Sequence, residues 1–106
     1  MSGWVDVGPA GEPREGESRE VEAGGREVAL FHLGGTWYAL DAFCSHEECP
    51  LADGEVQTDT GRVVCYCHGA EFEIATGRVV LGPAEEDVAT YPVRVAGDRL
   101  EVEVDA

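Results

Sequence analysis

Residues 26–33 read Arg-Glu-Val-Ala-Leu-Phe-His-Leu, an extended stretch with apolar side chains on both faces. A strand of that kind is covered on both sides rather than half exposed. Gly34-Gly35 then reads as a hairpin turn, and residues 36–40, Thr-Trp-Tyr-Ala-Leu, as the returning strand. Near the C-terminus the pattern changes to strict alternation: Leu100, Val102 and Val104 point one way, Arg99, Glu101 and Glu103 the other. With residues 90–96 as partner across Gly97-Asp98, this predicts a half-buried hairpin. Residues 4–7 suit an edge strand, and residues 8–18, with Pro9, Gly11, Pro13 and Gly16, form a loop leading to a strand near 19–22. No segment carries a helical period, so the expected fold is all-β.

The middle third has a different texture. Strands there are short, and Asp53-Gly54, Thr60-Gly61, Thr76-Gly77 and Gly82-Pro83 punctuate residues 44–84. That is the texture of a ligand-bearing lobe set into a β scaffold. At 106 residues the chain is expected to form a single domain, 1–106, of a size at which a metal or disulfide staple adds to a modest core. All seven basic residues are arginine, against 22 acidic ones, for a formal charge of −15. Such a charge argues against nucleic acid or an anionic membrane as partner and suits a basic protein surface. The N-terminus has no basic and apolar leader and no apolar run approaches a membrane span, so a cytoplasmic protein is expected.

The chemistry is concentrated in two clusters. Cys44-Ser45-His46-Glu47-Glu48-Cys49 and Cys65-Tyr66-Cys67-His68-Gly69 hold every cysteine and two of the three histidines. Cysteine with imidazole is a ligand set for zinc or iron, and clustered cysteines in the cytosol suggest metal before disulfides. Cys44 and His46 are two apart and Cys65 and His68 three apart, so each pair can converge on one centre from a tight loop. The 18 residues between His46 and Cys65 suffice for a hairpin turning near 59–61. A zinc finger of the usual kind puts two cysteines on one arm and two histidines on the other. Here each arm has one of each.

In this mixed pattern, C-x-H then C-x2-H, the chain resembles the Rieske [2Fe–2S] proteins. The likeness extends through residues 35–40 (Gly-Thr-Trp-Tyr-Ala-Leu), 50–54 (Pro-Leu-Ala-Asp-Gly), 68–72 (His-Gly-Ala-Glu-Phe), Thr76-Gly77, the Gly82-Pro83-Ala84 loop and Tyr91-Pro92-Val93. The resemblance implies a Rieske domain of small antiparallel sheets with an inserted cluster-binding lobe at about 44–84. It implies one [2Fe–2S] cluster, with Cys44 and Cys65 on one iron and His46 and His68 on the other. Two ferric ions, two sulfides and two thiolates sum to zero charge, so such a centre is reduced more easily than one with four thiolates. Its potential lies at roughly −150 to +300 mV, against about −400 mV for plant-type clusters.

Cys49 and Cys67 remain. The resemblance to the respiratory and photosynthetic members implies a disulfide between them that ties the cluster loops together; two small buried thiols are the alternative. Ala70 and Phe72 depart from those members, which carry serine and tyrosine there and donate hydrogen bonds to sulfur. Without hydroxyls, a potential low in the Rieske range is expected, on the order of −150 mV. Glu73 stands where the family usually has aspartate.

Function follows the resemblance: a monomeric, soluble one-electron carrier between a flavin-dependent reductase and a terminal oxygenase, with Gly82 and Pro83 in a third loop over the cluster. A small subunit of an assimilatory nitrite reductase or of a respiratory complex is the alternative within redox biology. A structural zinc-binding module is the alternative from another class. No nucleophile and base, paired acids or phosphate loop suggests catalysis. His32 reads as structural, Trp4, Trp37 and Tyr38 as packing, and Glu47 and Glu48 as solvated charges or a docking rim.

Overall fold

In the computed structural model, which describes residues 2–43, 49–67, 69–82 and 86–105, the doubly apolar stretch is a strand (Arg26–Leu33) with Val28, Ala29, Leu30 and Phe31 all fully buried. Its two faces serve two cores. Ala29 and Phe31 pack with Leu40, Leu51, Val63, Phe72, Ile74 and Val88. Val28 and Leu30 pack with Ala39, Leu100, Val102 and Val104. The strand is the wall between them, which is why neither face could be polar.

The wall is third in chain order. β1 (Ser2–Pro9) and β2 (Ser18–Ala23) precede β3 (Arg26–Leu33), and β4 (Thr36–Asp41) follows. One antiparallel sheet runs β2-β3-β4-β9, where β9 is Thr90–Tyr91. A second runs β1-β11-β10, with β10 at Val93–Ala96 and β11 at Arg99–Asp105. The expected alternation holds in β11: Leu100, Val102 and Val104 are buried. The third sheet, β5-β6-β7-β8, consists of three-residue strands: β5 (Glu55–Gln57), β6 (Arg62–Val64), β7 (Glu71–Glu73) and β8 (Val79–Leu81).

Three features differ from the sequence pattern. Residues 90–96 are not one strand, because Pro92 has no amide hydrogen to continue a ladder. The chain changes sheets there: β9 pairs with β4, β10 pairs with β11, and the Pro92 carbonyl accepts the Glu103 amide at 3.0 Å. A 3-10 turn at Leu51–Asp53 went unforeseen, being too short to show a period. Trp4 lies in neither core; it is half-buried beneath the Arg94 guanidinium, 4.1 Å from its ring centroid.

Between β1 and β2, Glu15 reaches the β3–β4 turn. Its carboxylate accepts the amides of Gly34 (2.6 Å) and Gly35 (2.7 Å), which hold it below the usual carboxylate range. His32 stacks on Trp37 with ring centroids 3.8 Å apart and bonds the Pro13 carbonyl at 3.1 Å, so its role is structural.

Candidate metal centre

The lobe begins and ends at neighbouring strands. β4 pairs with β9 at Ala39–Tyr91 and Leu40–Thr90, so residues 42–89 are one excursion from a single gap in the sheet. Asp41 closes the neck. Its amide donates to the Ala89 carbonyl at 2.9 Å, Oδ2 accepts the Ala89 amide at 3.1 Å, and Oδ1 accepts the Tyr91 hydroxyl at 2.5 Å. Arg26 Nη1 donates to the Tyr91 oxygen at 3.3 Å. Burial, then the Asp41 carboxylate, push the Tyr91 hydroxyl above its ordinary value, with Arg26 opposing. Nothing in the sequence pattern pointed to this lock, since its partners lie far apart along the chain.

Above the neck the loops converge. Phe43 and Pro50 form an isolated bridge, and the Leu51 amide donates to the Ala42 carbonyl at 2.8 Å, so the two ends of the first Cys-His segment are held side by side. The second segment caps the β6–β7 hairpin. Val64 pairs with Glu71, the Cys65 amide donates to the Ala70 carbonyl at 2.7 Å, and the Gly69 amide donates to the Cys65 carbonyl at 2.9 Å. Gly69 has φ +76°, a conformation that favours glycine in so tight a return. Leu81 pairs with Glu71, so the turn at Gly82 leaves the sheet at the same end.

At this end three sulfurs meet. The Sγ atoms of Cys49, Cys65 and Cys67 lie within 4.8 Å of one another. Cys49 and Cys67 are joined by a disulfide, with Cα atoms 6.4 Å apart. The disulfide consumes two of the three thiols, so among the described residues Cys65 alone retains one, 1% exposed beneath the tip. Ala70 and Phe72 are fully buried in the same core as Cys49 and Cys65. Cys44, His46, His68 and Pro83, together with Glu47, Glu48 and Ala84, lie outside the described residues.

The donor chemistry fits an iron–sulfur group. A buried thiol on a tightly closed loop offers a soft anionic ligand screened from water, and the disulfide fixes the first segment against it. Glycines allow the close packing this needs. A Cβ on Gly54 would run into the Val64 carbonyl oxygen one residue before Cys65, and one on Gly77 into the Val88 carbonyl.

Fold and site together define a class: an all-β scaffold with cysteine sulfurs gathered on the loops of an inserted four-stranded lobe. A family model, the Rieske [2Fe-2S] domain, matches residues 3–92. The chain belongs to that family. It is 32% identical to the ferredoxin component of the naphthalene 1,2-dioxygenase system of Pseudomonas aeruginosa, over 95% of each chain. Among solved structures, the ferredoxin of carbazole 1,9a-dioxygenase from Nocardioides aromaticivorans IC177 superposes with a TM-score of 0.89 at 27% identity, covering 93% of this chain and 95% of that one. A ferredoxin from a complex of reduced oxygenase and oxidized ferredoxin in carbazole 1,9a-dioxygenase gives 0.85 at 25% identity, covering 93% and 91%. No helix among the described residues is long and apolar enough to cross a membrane.

Proposed function

We propose that this chain is a one-electron carrier that receives electrons from a flavin-dependent reductase and delivers them to a terminal oxygenase, with no substrate chemistry of its own. The observation that carries the reading is the similarity, along nearly the whole of both chains, to ferredoxin components of dioxygenase systems. One Rieske-type [2Fe–2S] cluster, when bound, supplies a centre that takes up and releases a single electron. Cys44 and Cys65 would hold it through thiolates and His46 and His68 through imidazoles.

The protein's own residues exclude water and fix the loops. Cys65 is buried in the core, and its backbone is fixed by the hydrogen bond of its amide to the Ala70 carbonyl. Ala70 and Phe72 offer the site a methyl group and a ring with no hydrogen-bond donor, which favours a potential low in the Rieske range, about −150 mV. A hydrogen bond worth about 1 kcal/mol more to the reduced than to the oxidised form raises a one-electron potential by roughly 40 mV. Ala70→Ser and Phe72→Tyr are therefore expected to raise the midpoint by that order; a wild-type value above about +100 mV overturns this account.

The reading is tested by iron and acid-labile sulfide analysis with a reductive titration followed by electron paramagnetic resonance. About two of each per chain and a signal of low average g-value are expected, followed by oxidation of the reduced protein by an aromatic-ring oxygenase. A colourless, redox-silent zinc protein sinks it. The disulfide of Cys49 and Cys67 favours a second reading, a small Rieske subunit of a nitrite reductase or respiratory complex. A larger subunit co-purifying from the native host would decide for that one.

A further inference from the structure

Cys65 sits against the disulfide it does not belong to. Its Sγ lies within 4.8 Å of both Cys49 Sγ and Cys67 Sγ, in a core that holds Cys49 at 7% exposure and Cys65 at 1%. A thiol held this close to a disulfide is the reactant pair of thiol–disulfide exchange, with only a short side-chain approach left to make. We propose that the cluster-free chain carries out an intramolecular exchange in which Cys65 displaces Cys67 from Cys49, so that metal loading and disulfide pairing are mutually exclusive uses of one sulfur.

The step balances without any added oxidant or reductant. Cys65 Sγ, as thiolate, attacks Cys49 Sγ; the Cys49–Cys67 bond breaks, a Cys49–Cys65 bond forms, and Cys67 leaves as thiolate and takes the proton that Cys65 gave up. Attack on Cys67 instead would close a ring across the single residue Tyr66, which is the more strained product. The loop closed by Cys49–Cys65 is only two residues shorter than the native one, so chain entropy hardly distinguishes the two pairings. What changes is exposure. Before the step the thiol is buried at Cys65, and after it the thiol is at Cys67, which is exposed. Loss of the cluster is thereby recorded in the disulfide, and reloading requires the reverse attack of the Cys67 thiolate on Cys49 to return Cys65.

The test is peptide mapping under non-reducing conditions after rapid alkylation. It compares cluster-loaded protein, protein stripped of iron by a chelator, and the stripped Cys44→Ser and Cys65→Ser variants, with near-ultraviolet circular dichroism to confirm folded samples. Stripped wild type and Cys44→Ser should both show a Cys49–Cys65 peptide at about a tenth or more of the linked material, since pairs of similar thiols exchange with constants near unity. Alkylated Cys67 should appear in equal measure. Loaded protein and Cys65→Ser should retain Cys49–Cys67 alone. The proposal is overturned if the stripped protein keeps only the native linkage, or if Cys65→Ser rearranges as fast as wild type. The exchange needs only the three sulfurs, whereas the protection by loading rests on Cys65 being a cluster ligand. A chain that exchanges when purified but takes up no iron would fail the functional reading and leave the exchange standing.

Discussion

Gly77 shows how a single residue supports the site from a distance. It has φ +74°, donates its amide to the Glu73 carbonyl at 2.8 Å, and offers its carbonyl to the Val88 amide at 2.8 Å, while a Cβ would collide with the Val88 carbonyl. Gly77→Ala combines a strained backbone with a backbone clash, and is expected to cost about 2–3 kcal/mol, read from the urea midpoint. Gly25, with φ +85° and open space around it, is the control: Gly25→Ala should cost only the backbone strain of about 1 kcal/mol. In the sequence Thr76-Gly77 was legible as a turn. The tight approach of Val88 was not, because it depends on a segment that returns only after the third loop. At the same scale, the buried positions of Ala70 and Phe72 give the missing hydroxyls physical weight, since a hydroxyl there would have neighbours rather than bulk water.

Among the elements, the short β4–β9 pair matters more than its two residue pairs suggest. It is the neck through which the whole lobe is carried, and Asp41 reinforces it with three hydrogen bonds. Tyr91→Phe is expected to destabilise the protein by about 1–2 kcal/mol at neutral pH, by loss of a hydrogen bond to a carboxylate. The pH dependence has a definite sign. Tyr91 has its folded pKa raised, so the stability it adds is fully present below the unfolded value of about 10 and is lost as pH rises through the folded value. Wild-type melting temperature should therefore fall more steeply above pH 10 than that of Tyr91→Phe; parallel curves would refute the role. The hairpins were readable because alternation and turn residues are local. The break at Pro92 was readable in principle, from a proline inside an apolar run, yet the sheet change depends on which strand lies free on either side.

For the whole molecule, four arginines are paired with acids among the described residues: Arg19 with Glu12, Arg62 with Glu71, Arg94 with Glu101 and Arg99 with Asp6. Each pair neutralises one acid, which leaves the surplus of −15 as a field that partners meet. The second-order rate of electron transfer to a basic partner should fall about tenfold between low and physiological ionic strength, measured by stopped flow. A rate independent of salt would remove electrostatic steering from the account. The sequence by itself determined the all-β class, the strand buried on both faces, the half-buried hairpin, the acidic field and the set of cysteines and histidines, because each is written in local periodicity, composition or spacing. Only the tertiary structure decided that Cys65 lies against the Cys49–Cys67 disulfide, that β3 divides two cores, and that Asp41 and Tyr91 lock the neck of the lobe. Those are contacts between residues remote in sequence, fixed by strand register and by the packing of one sheet on another, which no local pattern encodes.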